Sequence, residues 1–158
     1  MGCLSSSNFS LLVNGTLSVF FTASRGIRQG CPLSPLLFIL VIEGLSLLIK
    51  DAKVNGKIRE IKISTSLSLT HLPFVDDVVL FGISTLEEWM DFEVILDTFC
   101  YALGMRIRID KCRFLFNEMD EGVLNTILHY LPYKVDPIHM GFKYLGYFIK
   151  PLSYEVKD

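Results

Sequence analysis

Leu72-Pro73-Phe74-Val75-Asp76-Asp77-Val78-Val79-Leu80-Phe81 sets two short apolar runs on either side of an acidic pair. Such runs, separated by two polar residues, predict two strands joined at a tight turn. Adjacent carboxylates repel and raise each other's pKa, so gathering them at one hairpin tip carries an electrostatic cost. Asp is also a good turn former, and an acidic pair alone is often no more than a turn. Here the apolar strands confine both acids to the tip, where they can project together. Hard divalent cations such as Mg²⁺ prefer carboxylate oxygens and bridge to phosphate. Two such ions can clamp the attacking and leaving oxygens of an in-line phosphoryl transfer. Asp76 and Asp77 are therefore the candidate metal ligands.

Working outward, Ser84-x-x-Glu87 reads as a capping box, opening a helix that stops at Gly104. Met105–Phe116 reads as extended, with Ile107 and Ile109 alternating with Arg106, Arg108 and Asp110. A short helix is expected over Asp120–Leu131, then a loop marked by Pro132 and Pro137, then a strand or hairpin over Phe142–Ile149. Upstream, Ile58–Leu69 reads as extended after Asn55-Gly56. Ser34 and Pro35 supply an N-cap and a first-turn proline for a helix over Pro35–Ala52. Before it, Ser24–Pro32 is a loop, and Phe9–Val13 and Leu17–Phe21 flank Asn14-Gly15, a strong hairpin signal. This interleaving predicts an α+β fold, with helices packed on one face of a mostly antiparallel sheet.

A chain of 158 residues with 51% hydrophobic content fits one domain with a real core. The net charge of −2 gives no support to a free-standing nucleic-acid binder, whose basic surface neutralises phosphates. Cys3, Cys31, Cys100 and Cys112 form no C-x-x-C pair and share no zinc spacing with the histidines, so they read as free thiols. Leu36–Ile49, interrupted by Glu43 and Gly44, is short of the ~20 residues of a spanning helix and reads as a core helix. Met1-Gly2-Cys3-Leu4-Ser5-Ser6 matches a myristoylation pattern with a palmitoylation cysteine, which leaves a lipid-anchored interaction protein as a distant alternative. The strand expected from Phe9 leaves little tether, so no membrane partner is expected.

Phe74-Val75-Asp76-Asp77 is similar to the F/Y-x-D-D box of reverse transcriptases. Upstream, Arg25-Gly-Ile-Arg-Gln-Gly-Cys-Pro-Leu-Ser-Pro-Leu-Leu-Phe38 resembles that family's R-Q-G-x-P-L-S-P-x-L-F block. Downstream, Gly104-Met-Arg-Ile-Arg-Ile-Asp-Lys111 resembles G-L-x-I-N-x-x-K-S, and Phe142-Lys-Tyr-Leu-Gly146 resembles the primer-holding block. Asn14-Gly15 sits where LINE-type elements commonly carry L-V-N-G. In order and in extent, from about Phe9 to Pro151, the chain resembles the palm of a non-LTR, LINE-type retrotransposon reverse transcriptase.

The resemblance implies a palm-like antiparallel sheet and RNA-directed DNA synthesis by two-metal nucleotidyl transfer. Mg²⁺ or Mn²⁺ would be the cofactor, with RNA template, DNA primer and deoxynucleotides as partners in the full-length protein, in nucleus or cytoplasm. Asp76 and Asp77 would hold metal, with Phe74 packed beneath them. Arg28, Gln29 and Gly30 would lie against template and incoming nucleotide, on a loop supported by the helix that Ser34 and Pro35 open. Lys111 would protonate or neutralise the pyrophosphate leaving group, and Leu145 and Gly146 would sit in the primer grip. Two departures weaken the later block: Lys111-Cys112 replaces Lys-Ser, and Arg108 and Asp110 stand where Asn is usual. The family's first catalytic aspartate and fingers are expected upstream of this chain, and its thumb downstream. Residues 1–158 then form a partial reverse transcriptase domain, inactive in isolation; the alternative is a catalytically inactive retrotransposon remnant.

Overall fold

Helices α1 (Ser34–Val54) and α2 (Leu86–Leu103) carry the main core, in a computed structural model that describes residues 8–22, 30–83 and 85–151. Leu45, Ile49 and Ala52 of α1 and Phe92 and Phe99 of α2 bury themselves together with Ile58. These positions repeat at helical spacing on one face of each helix, as an amphipathic packing pair requires. Helix α1 starts at a turn in which the Ser34 amide donates to the Cys31 carbonyl at 3.0 Å, so Leu33 rather than Ser34 is the N-cap. It ends at Asn55, followed by Gly56 with φ +72°. Helix α2 stops at Gly104, whose φ of +64° is the left-handed C-cap conformation expected of glycine.

The strands form pairs rather than one sheet. Strands β1 (Asn8–Phe9) and β4 (Phe21–Thr22) pair antiparallel, as do β2 (Leu12–Val13) and β3 (Thr16–Leu17) around the Asn14-Gly15 turn. Between the two pairings, Ser10-Leu11 opposes Ser18-Val19-Phe20, and the Ser18 side chain accepts the Leu11 amide at 3.0 Å in place of a ladder bond. The expected hairpin therefore forms, but with an interruption like a bulge. Strands β5 (Ile61–Lys62) and β6 (Ser68–Leu69) make a second short antiparallel pair, so Ile58–Leu69 is only partly strand. Strands β7 (His71–Phe74) and β8 (Asp77–Leu80) make the hairpin read from the acidic stretch.

The stretch Met105–Phe116 is not one strand. Arg108 forks onto Asp110 (Nε–Oδ1 3.2 Å, Nη2–Oδ2 2.7 Å), and the chain turns through a 3-10 helix, Ile109–Lys111, before β9 (Arg113–Phe116). Helix α3 (Glu121–Tyr130) follows, capped by the Asp120 side chain, which accepts the Gly122 amide at 2.8 Å. Strand β10 (Lys134–Pro137) then runs parallel to β9, where only a loop was expected. Parallel strands need a crossover, and α3 supplies it. Phe114, Ile127 and Leu131 form the second core cluster. Trp89 joins the two clusters, 5.3 Å from the Phe92 ring and edge-on to Phe114 at 4.9 Å.

The fold class is α+β, with five antiparallel strand pairs and one parallel pair among the described residues. Much apolar surface stays exposed: Leu12, Val19 and Phe20 in the first hairpin, and Leu36, Ile39, Leu40 and Leu47 on α1. Among the described residues no helix is long and apolar enough to cross a membrane. Met1–Ser6, on which the lipid-anchor alternative rests, lies outside the described residues.

Candidate active site

Strands β7 and β8 leave only Val75 and Asp76 as the loop, because Phe74 pairs directly with Asp77. Register then sorts the side chains. Val78 and Leu80 pack against the α1–α2 core, while Leu72 and Phe74 on the other face are exposed. The base of the hairpin is tied to α1 by a hydrogen bond between His71 Nε2 and the buried Ser46 hydroxyl at 2.9 Å. Burial holds the His71 pKa below the ordinary imidazole value, and Lys50 pushes the same way. A rigid base thus presents an open tip.

At that tip Val75 has φ +51°. A positive φ at the first loop residue alone matches a type II′ turn, which normally places glycine there. A β-branched residue in that region is strained. Val75→Gly is therefore expected to raise the unfolding free energy by about 1 kcal/mol, read by urea denaturation. A loss of stability would show that the Val75 side chain contributes more than its backbone costs. Asp76 and Asp77 are both exposed, and neither carboxylate makes a salt bridge or a side-chain hydrogen bond among the described residues. Mg²⁺ keeps several waters and is commonly held by one or two carboxylates plus substrate phosphates. The pair fits such a partial donor set. Among the described residues no group of three or more His, Cys, Asp or Glu gathers anywhere to make a fuller one.

The other expected residues lie on separate elements. Gly30 has φ +80° with nothing within 4 Å of where a Cβ would stand, so only backbone conformation demands glycine there. Arg28 and Gln29 lie outside the described residues. Lys111 is exposed on the 3-10 turn, and no ion pair joins it to Asp76 or Asp77. Beside it, the Arg108 guanidinium holds the Asp110 carboxyl below its usual range. Leu145 (φ +51°) and Gly146 (φ +83°) are the two-residue turn between β11 (Phe142–Tyr144) and β12 (Tyr147–Ile149). Positive φ at both positions matches type I′.

Three residues escaped the sequence reading. Gly141 has φ +78°, and a Cβ on it would lie 2.6 Å from Phe148 Cε1 and 3.0 Å from the Ile149 carbonyl. Glu88, 2% exposed, accepts the Ile83 amide at the exit of the acidic hairpin, and a Cβ on Gly82 would stand 2.9 Å from its Oε2. Two surface grooves, of about 360 and 710 Å³, are lined respectively by residues such as Thr85 and Asp120 and by Glu93, Arg106 and Tyr133. Neither includes Asp76 or Asp77, which stand exposed at the hairpin tip.

A family described as reverse transcriptase (RNA-dependent DNA polymerase) matches residues 2–149. The chain belongs to the reverse transcriptase family. This reverse transcriptase chain is also 46% identical over 67 residues to an uncharacterized mitochondrial protein of Arabidopsis thaliana, covering 42% of the chain and 55% of that protein. It is 34% identical over 106 residues to the Retrovirus-related Pol polyprotein from type-2 retrotransposable element R2DM of Drosophila melanogaster, covering 65% of the chain and 9% of that protein. The chain thus spans about half of one relative and under a tenth of the other. Both the family and the kinship with a retrotransposable element agree with a reverse transcriptase of non-LTR retrotransposon type.

Proposed function

We propose that this chain forms the palm of an RNA-directed DNA polymerase of LINE type, with Asp76 and Asp77 as the metal-bearing carboxylates. The observation that carries the proposal is the exposed acidic pair at a two-residue turn whose strands are anchored on a packed helix pair. Bound there, Mg²⁺ or Mn²⁺ supplies the positive charge that in-line transfer of a nucleotidyl group requires. Asp76 and Asp77 orient that charge toward the nucleotide phosphates. Arg28, Gln29 and Gly30 lie against template and incoming nucleotide, the glycine letting backbone approach closely. Lys111 neutralises the pyrophosphate as it leaves, and the Leu145-Gly146 turn supports the primer. In a longer polymerase the acidic hairpin would join a palm sheet, and the exposed apolar side chains of the first hairpin and of α1 would pack against its further parts.

Metal-dependent nucleotide binding tests the proposal. Calorimetric titration of a deoxynucleoside triphosphate into the chain should give binding that needs Mn²⁺ and weakens at least about tenfold in Asp76→Asn, the loss of one charge-assisted contact. Equal binding by the two proteins would refute the assigned role. Primer extension on an RNA template by the 158-residue chain alone is expected to be absent, because two carboxylates from one hairpin make an incomplete cage for two metals. A second reading, a remnant without polymerase activity, is favoured by the Arg108–Asp110 fork, in which Arg108 occupies the position where the family's block carries Asn. Absence of any metal-dependent nucleotide binding by the unaltered chain would favour that reading.

A further inference from the structure

Glu88 is a carboxylate placed where carboxylates are rarely found: 2% exposed, on the first turn of α2 beside the exit of the acidic hairpin. Its Oε1 accepts the Arg59 amide at 2.6 Å and its Oε2 accepts the Ile83 amide at 2.6 Å. Arg59 belongs to the segment after α1, and Ile83 closes the segment that leaves β8. One side chain on the first turn of α2 therefore ties the hairpin exit to the α1 connection. The helix N-terminus suits a negative charge at that place. Charge-assisted bonds to backbone N–H groups are shorter and stronger than neutral ones, and the two short distances fit that description.

Gly82 completes the arrangement. A Cβ there would stand 2.9 Å from Glu88 Oε2, 3.2 Å from its Cδ and 3.3 Å from Phe92 Cε2. Glycine at 82 leaves the space the carboxylate fills. Above this tie, the Phe81 amide donates to the Thr70 carbonyl at 2.8 Å, passing the restraint directly to both strands of the hairpin.

We infer that Glu88, with Gly82 as its spacer, is a positioning residue that fixes the direction of the hairpin carrying Asp76 and Asp77. This rests on the proposed metal-bearing role of that pair only for its functional consequence; the mechanical role stands on geometry alone. Glu88 touches neither substrate nor metal and acts through the Ile83 and Arg59 amides.

The test uses the whole chain and two variants. Glu88→Gln keeps size but sets an NH2 donor against one of the two amides, and Gly82→Ala crowds Oε2 while leaving the carboxylate itself intact. Hydrogen exchange near neutral pH should accelerate across residues 71–83 by about tenfold or more, the factor expected from losing one charge-assisted bond. Exchange in the core turns of α1 and α2 should change much less. Mn²⁺ affinity, read from broadening of the Asp76 and Asp77 amide signals, should weaken several-fold in both variants. Acceleration spread evenly over hairpin and helices, or no acceleration at all, would overturn the positioning role. Failure of the unaltered chain to bind Mn²⁺ at the tip would count against the proposed function, while the exchange pattern would still decide the role of Glu88.

Discussion

Truncating Phe92 to alanine is expected to lower the unfolding free energy by about 3–5 kcal/mol, the usual cost of removing a large core aromatic. Phe92 is 1% exposed and lies in the cluster that joins α1, α2 and Ile58. Its ring also stacks obliquely on Trp89, the link to the second core cluster, and lies where a side chain on Gly82 would clash. The resulting cavity would be bounded by two helices and the inner face of the acidic hairpin, elements that cannot all collapse into it. Tyr101→Ala on the same helix, at a position 90% exposed, is the control and should change stability within about 0.5 kcal/mol. Urea unfolding of the three proteins decides the matter. A Phe92→Ala loss no larger than that of Tyr101→Ala would mean that α1 and α2 do not pack through this ring.

Local chemistry made some elements legible and left others hidden. Asn14-Gly15 and Leu145-Gly146 each place glycine where a hairpin loop needs a second positive φ, and both turns form. Gly104 ends α2 for the same stereochemical reason. The acidic hairpin was readable from its apolar strands, but its turn was not, because Val75 takes a conformation its side chain disfavours. Strand β10 was hidden by Pro132 just before it and Pro137 at its end, and by a parallel partner reached only across α3. The alternation over residues 106–110 suggested a strand, yet the Arg108–Asp110 fork stabilises a turn instead.

The site divides in the same way. Asp76 and Asp77 announce themselves through their apolar frame and their likeness to a family motif. The capping box expected at Ser84 and Glu87 does not form: Ser84 lies outside the described residues, Thr85 is the N-cap without a side-chain cap hydrogen bond, and Glu88 reaches past it to the Ile83 amide. Its second partner, Arg59, is 29 residues away, and no local pattern signals a bond across that separation. Arg28 and Gln29, legible by resemblance, lie outside the described residues.

Removing both charges at the tip should abolish the stabilisation that divalent metal gives. Replacing Asp76 and Asp77 together with Asn retains their size and turn preference, and it removes two like charges whose repulsion the metal-free fold must bear. Without metal, the double variant should melt at the same temperature as the unaltered chain or higher. Metal that binds only the native state stabilises it by about 0.4 kcal/mol at a concentration equal to Kd and by about 1.4 kcal/mol at ten times Kd. Melting curves across a Mn²⁺ series, against NaCl of equal ionic strength, measure this directly. The predicted result is a concentration-dependent rise in Tm for the unaltered chain and little or none for the Asn pair. A double variant that is clearly less stable without metal, and that gains as much from Mn²⁺ as the unaltered chain, would contradict the assignment and leave Asp76 and Asp77 as a structural turn.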